Sequence, residues 1–269
     1  MKKFKFNKNN IITPFIIIGI CVIVLLLVIL LSNIELNLKC RESFTNNDDV
    51  YLFWTGGYDS TFRLCQLVID QKRSVVPIYI TDDNLDNPTG TYRRKNRKYE
   101  IDAMNKIKNQ IYAKFTYTNG LIKDTIYIDK ININREIEKK MNNLYDSGKN
   151  HRPMTQYGGL AQTTFDMNKN IEIAVENSPH STMRKMIFND LKYDGKDYYI
   201  LNVKKLVDKN LDIFQKFLFP TINITKKEMF DISVTNKYDD ILKLTWSCWF
   251  PTADGKPCGN CPMCNDRYV

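Results

Sequence analysis

Hydrophobic and polar positions alternate in blocks along most of the chain, and these blocks predict strands and helices in turn. Four short apolar runs predict buried strands: VYLFW at 50–54, SVVPIYI at 74–80, TIYI at 125–128 and IEIAV at 171–175. Segments with near-helical spacing lie between and after them, at 60–71, 92–110, 131–145, 156–167, 207–217 and 224–233. Because strands that alternate with helices favour βαβ units, we predict an α/β fold with a parallel, Rossmann-like sheet covered by helices.

An uninterrupted apolar run near the N-terminus stands apart from this alternation. Residues 15–31 read FIIIGICVIVLLLVILL, and extension back to Ile11 gives 21 residues, about the length of a helix that spans a bilayer. A buried core helix seldom lacks polar positions on every face. A cleaved signal peptide has a shorter apolar region and a small-residue cleavage site, which SNIELNLKC lacks. We therefore predict a transmembrane helix at 11–31, between a basic flank at 1–10 and a polar linker at 32–49.

Composition changes this picture in two respects. The formal net charge of +9 suggests nucleic acid or an anionic surface as a partner. Four lysines precede the apolar run, however, and the remaining 35 basic and 30 acidic residues leave a mild +5. Two histidines exclude a multi-histidine metal centre, and seven cysteines in 269 residues are too few for a disulfide scaffold.

The turn after the first strand has the composition of an anion-binding loop. Residues 55–61 read TGGYDST, where two glycines can bring backbone N–H groups close to a ligand. A helix that starts near Ser60 adds its positive N-terminal end, and hydroxyls of Ser60 and Thr61 can donate to phosphate. Neither a Walker P-loop nor a Rossmann G-x-G-x-x-G is present. On its own, the turn is equally compatible with a tight strand-to-helix turn and an N-cap.

Four cysteines crowd the last 22 residues, at Cys248, Cys258, Cys261 and Cys264. The spacing C-x9-C-x2-C-x2-C suits a closed tetrahedral zinc site, with Gly259 and Pro262 in the tight turns between ligands. Disulfides between such near neighbours would be strained. Free core thiols and an iron–sulfur cluster, which takes the same four thiolates, are the other interpretations. We therefore predict a zinc-binding tail at 246–266.

Together, these motifs resemble a known enzyme family. TGGYDST is similar to the SGGxDS signature of PP-loop ATP pyrophosphatases, with Thr55 keeping the hydroxyl of the first serine. A PP-loop combined with a terminal Cys₄ element resembles the 7-cyano-7-deazaguanine synthase family (QueC). Residues 219–229 (FPTINITKKEM) are similar to its P-L-x-x-L-x-K-x-E-I stretch, residues 245–248 (TWSC) to its T-x-S-C, and residues 171–178 (IEIAVENS) to its I-x-I-G-V-N strand.

The resemblance implies a reaction and a set of site residues for a domain at 50–269. In that family the loop grips ATP, a carboxylate (7-carboxy-7-deazaguanine) is adenylated, ammonia displaces AMP, and a second ATP drives formation of the nitrile. It implies Mg²⁺ on the phosphates, Zn²⁺ on the four cysteines, and catalytic roles for Asp59 and Ser60. The implied nucleotide-binding positions are Thr55, Gly56, Gly57, Tyr58, Asp59, Ser60, Thr61 and Phe62.

Two departures from the family pattern leave the substrate open. The family's G-Q-R-H is replaced by TDDNLDNP at 81–88 and the basic YRRKNRK at 92–98. Its V-P-x-R-N loop is replaced by HRPMTQYGGLAQ at 151–162. Asp82 or Asp83 is expected near the ribose, while the basic run assists phosphate binding or forms a solvated helix face. The Tyr157-Gly158-Gly159 segment is a second phosphate contact or a close-packing turn.

Two other functions stay open on the residues alone. One is another PP-loop activity, such as modification of a tRNA or nucleobase, although no stripe of aromatic and basic residues supports it. The other is a membrane-tethered, non-catalytic nucleotide-binding protein, against which the intact loop residues count. We expect a carboxylate and ammonia as partners, disfavour nucleic acid and leave a homodimer open.

Two signals disagree about the orientation of the predicted membrane helix. Lys2, Lys3, Lys5 and Lys8 precede it, and the positive-inside rule then favours a cytoplasmic N-terminus. ATP and reduced thiolates instead belong with a domain in the cytosol. We expect a single-pass membrane protein whose catalytic domain faces the cytosol.

Overall fold

A seven-stranded, mostly parallel sheet forms the centre of the molecule, whose computed structural model describes residues 49–81, 96–146 and 155–265. Its strands are β1 Val50–Phe53, β2 Val75–Ile80, β3 Ile126–Ile128, β4 Ile171–Glu172, β5 Leu191–Tyr193, β6 Tyr199–Leu201 and β7 Phe217–Phe219. Their order across the sheet is β3-β2-β1-β4-β7-β6-β5. The first five of these run parallel, and β6 and β5 extend the sheet as an antiparallel hairpin.

Helices connect the strands in the manner of βαβ units. The α-helices are α1 Tyr58–Cys65, α2 Arg97–Lys114, α3 Arg135–Asp146, α4 Thr155–Asp166, α5 Thr182–Ile187, α6 Lys226–Thr235, α7 Asp239–Leu242 and α8 Pro262–Asn265. A π-helical turn, Gln66–Asp70, continues α1, and short 3₁₀ helices lie at Thr116–Thr118, Phe188–Asp190, Val203–Lys205 and Lys209–Phe214.

Two hydrophobic clusters flank the sheet and explain why its strands are apolar on both faces. One surrounds Phe62 and Leu67 with side chains of α1, α2 and α7, and the other surrounds Phe214 and Phe217. A parallel sheet covered on both sides buries successive side chains in opposite directions, so its strands read as continuous apolar runs. The prediction of an α/β fold with a mostly parallel sheet covered by helices is confirmed.

A buried ion pair fastens α1 to the sheet. Arg63 on α1 donates from Nε and Nη2 to the carboxylate of Glu172 on β4, at 2.7 and 2.9 Å, and both residues are about 1% exposed. The same guanidinium contacts Asp197 at 2.5 Å. A buried charge is stable only when it is paired and hydrogen-bonded, so these contacts restrict where α1 can lie.

The sequence predicted the four strands β1 to β4 but not the other three. Residues 207–217 were predicted as a helix, whereas the chain forms a 3₁₀ helix at Lys209–Phe214 and then enters β7 at Phe217. Polar residues interrupt the apolar ones at 191–201, where β5 and β6 lie, and β7 adjoins the segment with helical spacing.

The predicted single-pass membrane localisation is contradicted. Among the residues that the structure describes, no helix combines the length and apolar character needed to cross a bilayer. The longest, α2, has 18 residues and carries seven charged side chains, which the bilayer interior would not accommodate. The apolar run at 11–31 and its basic flank lie outside the described residues, as does the linker except for Asp49.

Candidate functional site

The glycine turn lies where the strand order reverses. From β1 the chain moves outward to β2 and β3 on one side, whereas β4 and β7 lie on the other. In open α/β sheets, ligands bind at such a switch point, outside the carboxyl ends of the strands. The turn at 55–57 leaves the carboxyl end of β1, so the topology puts the predicted anion-binding loop in that crevice.

Gly56 occupies a position that no other residue fits without strain. Its φ is +71°, in the left-handed region. A Cβ there would lie 3.0 Å from the carbonyl oxygen of Glu100 and 3.1 Å from Cγ of Met104, both on α2. The close approach of α2 therefore excludes a side chain, and the loop backbone takes a shape that depends on this glycine.

The residues after Gly56 begin α1 and divide into accessible and buried side chains. Gly57 is the N-cap, with φ −75° and ψ 165°, and its carbonyl accepts from the Thr61 amide at 3.0 Å. Thr55 is exposed, whereas Gly57, Asp59 and Ser60 are half-buried. The N-terminal end of α1 lies at this turn, and the positive end of a helix suits an anionic ligand.

Three of the predicted nucleotide-binding positions have buried side chains: Tyr58, Thr61 and Phe62. The Thr61 hydroxyl accepts a hydrogen bond from the Trp54 indole at 3.0 Å, and the Phe62 ring packs against Tyr238 with centroids 6.3 Å apart. These side chains support the loop from behind. The Thr61 amide already donates to the Gly57 carbonyl, so Thr61 and Phe62 support the loop rather than face a ligand.

Helix α4 packs in the hydrophobic cluster around Phe214 and Phe217 and approaches the loop from that side of the sheet. Burial, and secondarily the negative charge of Asp59, raise the pKa of Tyr157 in its first turn to about 12. Tyr157, Gly158 and Gly159 are therefore part of a helix that begins near Asp59. A Cβ at Gly158 would lie 3.4 Å from Cγ of Met141 on α3, an ordinary contact distance, so the packing there does not require a glycine.

Buried polar groups lie on the other side of the loop, around Glu100. Its carboxylate accepts from the Tyr79 hydroxyl at 2.5 Å and from the Asn96 amide at 2.8 Å. Arg97, in the predicted basic run, makes an exposed contact of 3.4 Å with Asp129, as a solvated helix face would. The positions 82–83, 93–95 and 151–152, where further substrate contacts were expected, lie outside the described residues.

An ion pair at the same sheet edge was not singled out from the sequence. Leu52 pairs with Glu172, and Gly56 and Glu176, each four residues further on, follow the carboxyl ends of these two adjacent strands. The Lys226 amine lies 3.4 Å from the Glu176 carboxylate, and both side chains are mostly buried. Lys226 begins α6, and the signal that could have identified it is its match to the lysine of the P-L-x-x-L-x-K-x-E-I stretch.

The four predicted cysteines converge. The Sγ atoms of Cys248, Cys258, Cys261 and Cys264 all lie within 4.8 Å of one another. The Sγ atoms of Cys258 and Cys264 are 3.9 Å apart, close to the roughly 3.8 Å edge of a tetrahedron with metal–sulfur bonds of about 2.3 Å. This donor set fits a single metal ion.

Backbone amides favour the thiolate of Cys258, whereas burial raises the pKa of Cys248 and of Cys264. Hydrogen bonds from the Asn260 and Cys261 amides lower the pKa of Cys258 to about 7. The Cys258 amide in turn donates to the sulfur of Cys248 at 3.2 Å. Gly259, with φ +72°, forms the turn between Cys258 and Cys261, as its place in the motif predicted. Metals bind the deprotonated thiol, so these contacts prepare the site.

The cysteine tail and the glycine turn are in direct contact. The Trp246 amide donates to the carbonyl of Gly56 at 3.0 Å, and the Trp246 indole donates to the carbonyl of Cys248 at 2.8 Å. The ring of Tyr99, on α2, stacks on Trp246 with centroids 4.6 Å apart and planes 15° apart. Sequence reasoning did not identify Tyr99, because this contact joins segments almost 150 positions apart.

Comparisons with known proteins agree with the family resemblance of the motifs. Residues 50–269 match the sequence model of the family described as "Queuosine biosynthesis protein QueC". The search of curated proteins found no significant match. Among solved structures, the chain is similar to the U34-tRNA thiolase NcsA from Methanococcus maripaludis with its 4Fe–4S cluster, at 15% identity and a TM-score of 0.41. That likeness covers 83% of this chain and 63% of the thiolase, and at this TM-score it supports no conclusion about function.

Proposed function

The chain belongs to the QueC family of queuosine biosynthesis proteins, and from this premise we propose that it is an ATP-dependent ligase that adenylates a carboxylate and aminates it. The proposed substrate is 7-carboxy-7-deazaguanine or a related carboxylate, with ammonia as the nitrogen donor. The observation that carries the proposal is the glycine turn at the switch point, where Gly56 has no room for a side chain.

The loop residues have chemical roles in this proposal. The amides around Gly57 and the N-terminal end of α1 bind phosphate oxygens, with hydroxyls of Thr55 and Ser60 as further donors. Asp59 would hold Mg²⁺ or orient the loop amides, because a carboxylate alone would repel phosphate. ATP, when bound, supplies AMP as a leaving group for the carboxylate, which is otherwise a poor electrophile. The protein then acts mainly by positioning the reactants and stabilising charge.

Besides Mg²⁺, we assign Lys226 as a positively charged group of the site. It lies at the carboxyl edge of the sheet beside Glu176, one strand away from the glycine turn. A mostly buried ammonium can stabilise the negative charge that develops on a phosphate or carboxylate oxygen. Glu176 keeps that ammonium in place by pairing with it.

We propose that the metal is zinc and that its role is structural. All four Sγ atoms are close enough to share one ion, whereas in a four-iron cluster each thiolate binds a different iron, which holds the sulfurs further apart. Four protein ligands leave no open coordination position for a substrate. Metal analysis of the purified chain should find about one zinc per chain, and visible absorption typical of an iron–sulfur cluster would contradict the assignment.

The ligase proposal is tested by incubation of the full chain with ATP, ammonium and 7-carboxy-7-deazaguanine. We expect AMP and an amide or nitrile product by mass spectrometry, and their loss in Asp59→Asn. Asp124→Asn is the matched control. Asp124 is exposed and precedes β3, so it lies at the amino ends of the parallel strands, whereas the glycine turn follows a carboxyl end. AMP formation that Asp59→Asn leaves intact would contradict the proposed site, and ATP binding without turnover of any carboxylate offered would contradict the reaction.

A further inference from the structure

The pair Tyr99–Trp246 connects the four-cysteine site to the glycine turn. We infer that these two rings are positioning residues: metal binding orders Trp246, and Trp246 and Tyr99 then hold the phosphate-binding loop in its binding conformation. One consequence is that the metal-loaded protein binds ATP more tightly, and this consequence rests on the proposed nucleotide site. The coupling between the metal and the loop is a separate claim that can be measured without ATP.

Trp246 makes a hydrogen bond toward each site. Its side-chain Nε1 donates to the carbonyl of Cys248, the first metal ligand, at 2.8 Å. Its backbone amide donates to the carbonyl of Gly56, in the loop, at 3.0 Å. A displacement of Cys248 therefore acts on the same residue that fixes the loop carbonyl.

Tyr99 contacts the face of the Trp246 ring. Its ring stacks on the indole, and its hydroxyl would be 3.1 Å from a Cβ at Gly255, in the segment between Cys248 and Cys258. The next residue of α2, Glu100, brings its carbonyl to within 3.0 Å of a Cβ at Gly56. Adjacent residues of one helix thus contact the metal segment and the phosphate loop.

The metal segment buries little apolar surface, and hydrogen bonds within it lie in the turn from Thr252 to Lys256 and at the cysteine sulfurs. Between Cys248 and Cys261 most side chains are exposed or half-buried, and Gly255 and Gly259 have positive φ. A segment with so little apolar burial depends on the shared metal ion for its conformation. Loss of the ion would release Cys248 and hence the indole that bonds to its carbonyl.

Hydrogen exchange of the full chain, followed by mass spectrometry of peptides that cover residues 54–62, tests the coupling. Wild type is compared zinc-loaded and after treatment with a chelator, beside zinc-loaded Tyr99→Ala and Tyr99→Phe. We expect exchange in this peptide to be several-fold faster in the zinc-free wild type. Zinc-loaded Tyr99→Ala should show the same increase, and Tyr99→Phe, which keeps the ring, should behave as wild type. Tyr193→Ala is the control, since it removes an aromatic contact with Tyr199, whose ring centroid is 5.3 Å away, in the β5–β6 hairpin.

A second measurement links the coupling to the nucleotide. ATP should bind zinc-loaded Tyr99→Ala about two- to tenfold more weakly than wild type, the range that a stacked aromatic pair supports. Removal of zinc should weaken ATP binding in wild type and add little in Tyr99→Ala, because the two changes break the same connection.

The outcomes separate this inference from the proposed function. If hydrogen exchange in the peptide at 54–62 is as slow in zinc-loaded Tyr99→Ala as in zinc-loaded wild type, the coupling is overturned. This holds even if treatment with the chelator unfolds the whole domain. If the coupling is observed but wild type binds no ATP, the positioning role is supported and the proposed ligase function fails. If Tyr193→Ala changes the peptide as much as Tyr99→Ala, the effect is general destabilisation and the inference is wrong.

Discussion

The carbonyl oxygen of Glu100 lies 3.0 Å from the position that a Cβ of Gly56 would occupy. One turn of α2 thereby determines which residue can stand in the loop after β1. The loop that resembles a nucleotide-binding motif is thus shaped by a helix more than 40 positions away, as well as by its own glycines.

This relationship predicts the effect of Gly56→Ala. The substitution combines a positive φ, which costs an L-residue about 1–2 kcal/mol, with a clash against α2. We expect a lower free energy of unfolding and ATP binding weakened at least tenfold, measured by urea unfolding and titration calorimetry. Gly120→Ala is the matched control, because Gly120 has φ +82° but nothing within 4 Å of its Cβ position. Equal effects of the two substitutions on ATP binding would contradict a role for the Glu100 contact.

Substitutions of two adjacent lysines at the start of α6 should have different effects on turnover. Lys226 pairs with Glu176 at the sheet edge, whereas Lys227 is 69% exposed and pairs with Asp231 one turn along the helix. We expect Lys226→Met to lower kcat/KM for AMP formation by tenfold or more and Lys227→Met to leave it nearly unchanged. Steady-state kinetics of the two variants decide this, and a similar loss in both would show that only the net charge matters.

The four-cysteine cluster predicts that each chain binds one zinc ion. Cys261→Ser removes one of four thiolates that share an ion, so zinc content should fall well below one per chain. The comparison is Cys65→Ala, whose thiol is fully buried in the core and whose pKa is raised well above its ordinary value by burial. That variant should lose stability but retain its zinc. Full zinc occupancy in Cys261→Ser would contradict the four-thiolate site.

The capping box of α6 predicts a pH dependence. The amide and hydroxyl of Thr225 donate to the Glu228 carboxylate and lower its pKa below the ordinary value of 4.5. A carboxylate whose pKa is depressed in the folded state stabilises the protein above pH 4.5, and that stabilisation is lost as pH falls through the lowered pKa.

Thr225→Ala should therefore lower the free energy of unfolding by about 1 kcal/mol at pH 7, by loss of the N-cap. The difference from wild type should shrink below pH 4.5 as Glu228 becomes protonated. Urea unfolding at a series of pH values measures it, with exposed Thr235 at the other end of α6 as the control position. The variant keeps the backbone amide that donates to Glu228, so a difference that stays constant down to pH 3 would exclude the contribution of the hydroxyl contact to Glu228.

Much of the fold followed from local patterns in the sequence. The strands β1, β2 and β4 lie in apolar runs because both faces of the sheet are covered there, whereas β3 is an edge strand with Ile126 and Tyr127 exposed. Each of the four was predicted within a few residues. The strands β5 and β6 were missed because polar residues separate their few apolar positions, and β7 because Phe217–Phe219 adjoins a segment with helical spacing. The single-pass localisation, inferred from one apolar run, was the interpretation that the findings contradicted.

The candidate site divides in a similar way between sequence and tertiary structure. The sequence alone determined the glycine turn and the four cysteines, because each is a short segment whose residue types and spacing are set by local geometry. Only the tertiary structure decided that Glu100 excludes a side chain at Gly56, that Glu176 meets Lys226, and that Tyr99 stacks on Trp246. These contacts join distant segments through strand order and helix packing, and neither is encoded in the spacing of neighbouring residues.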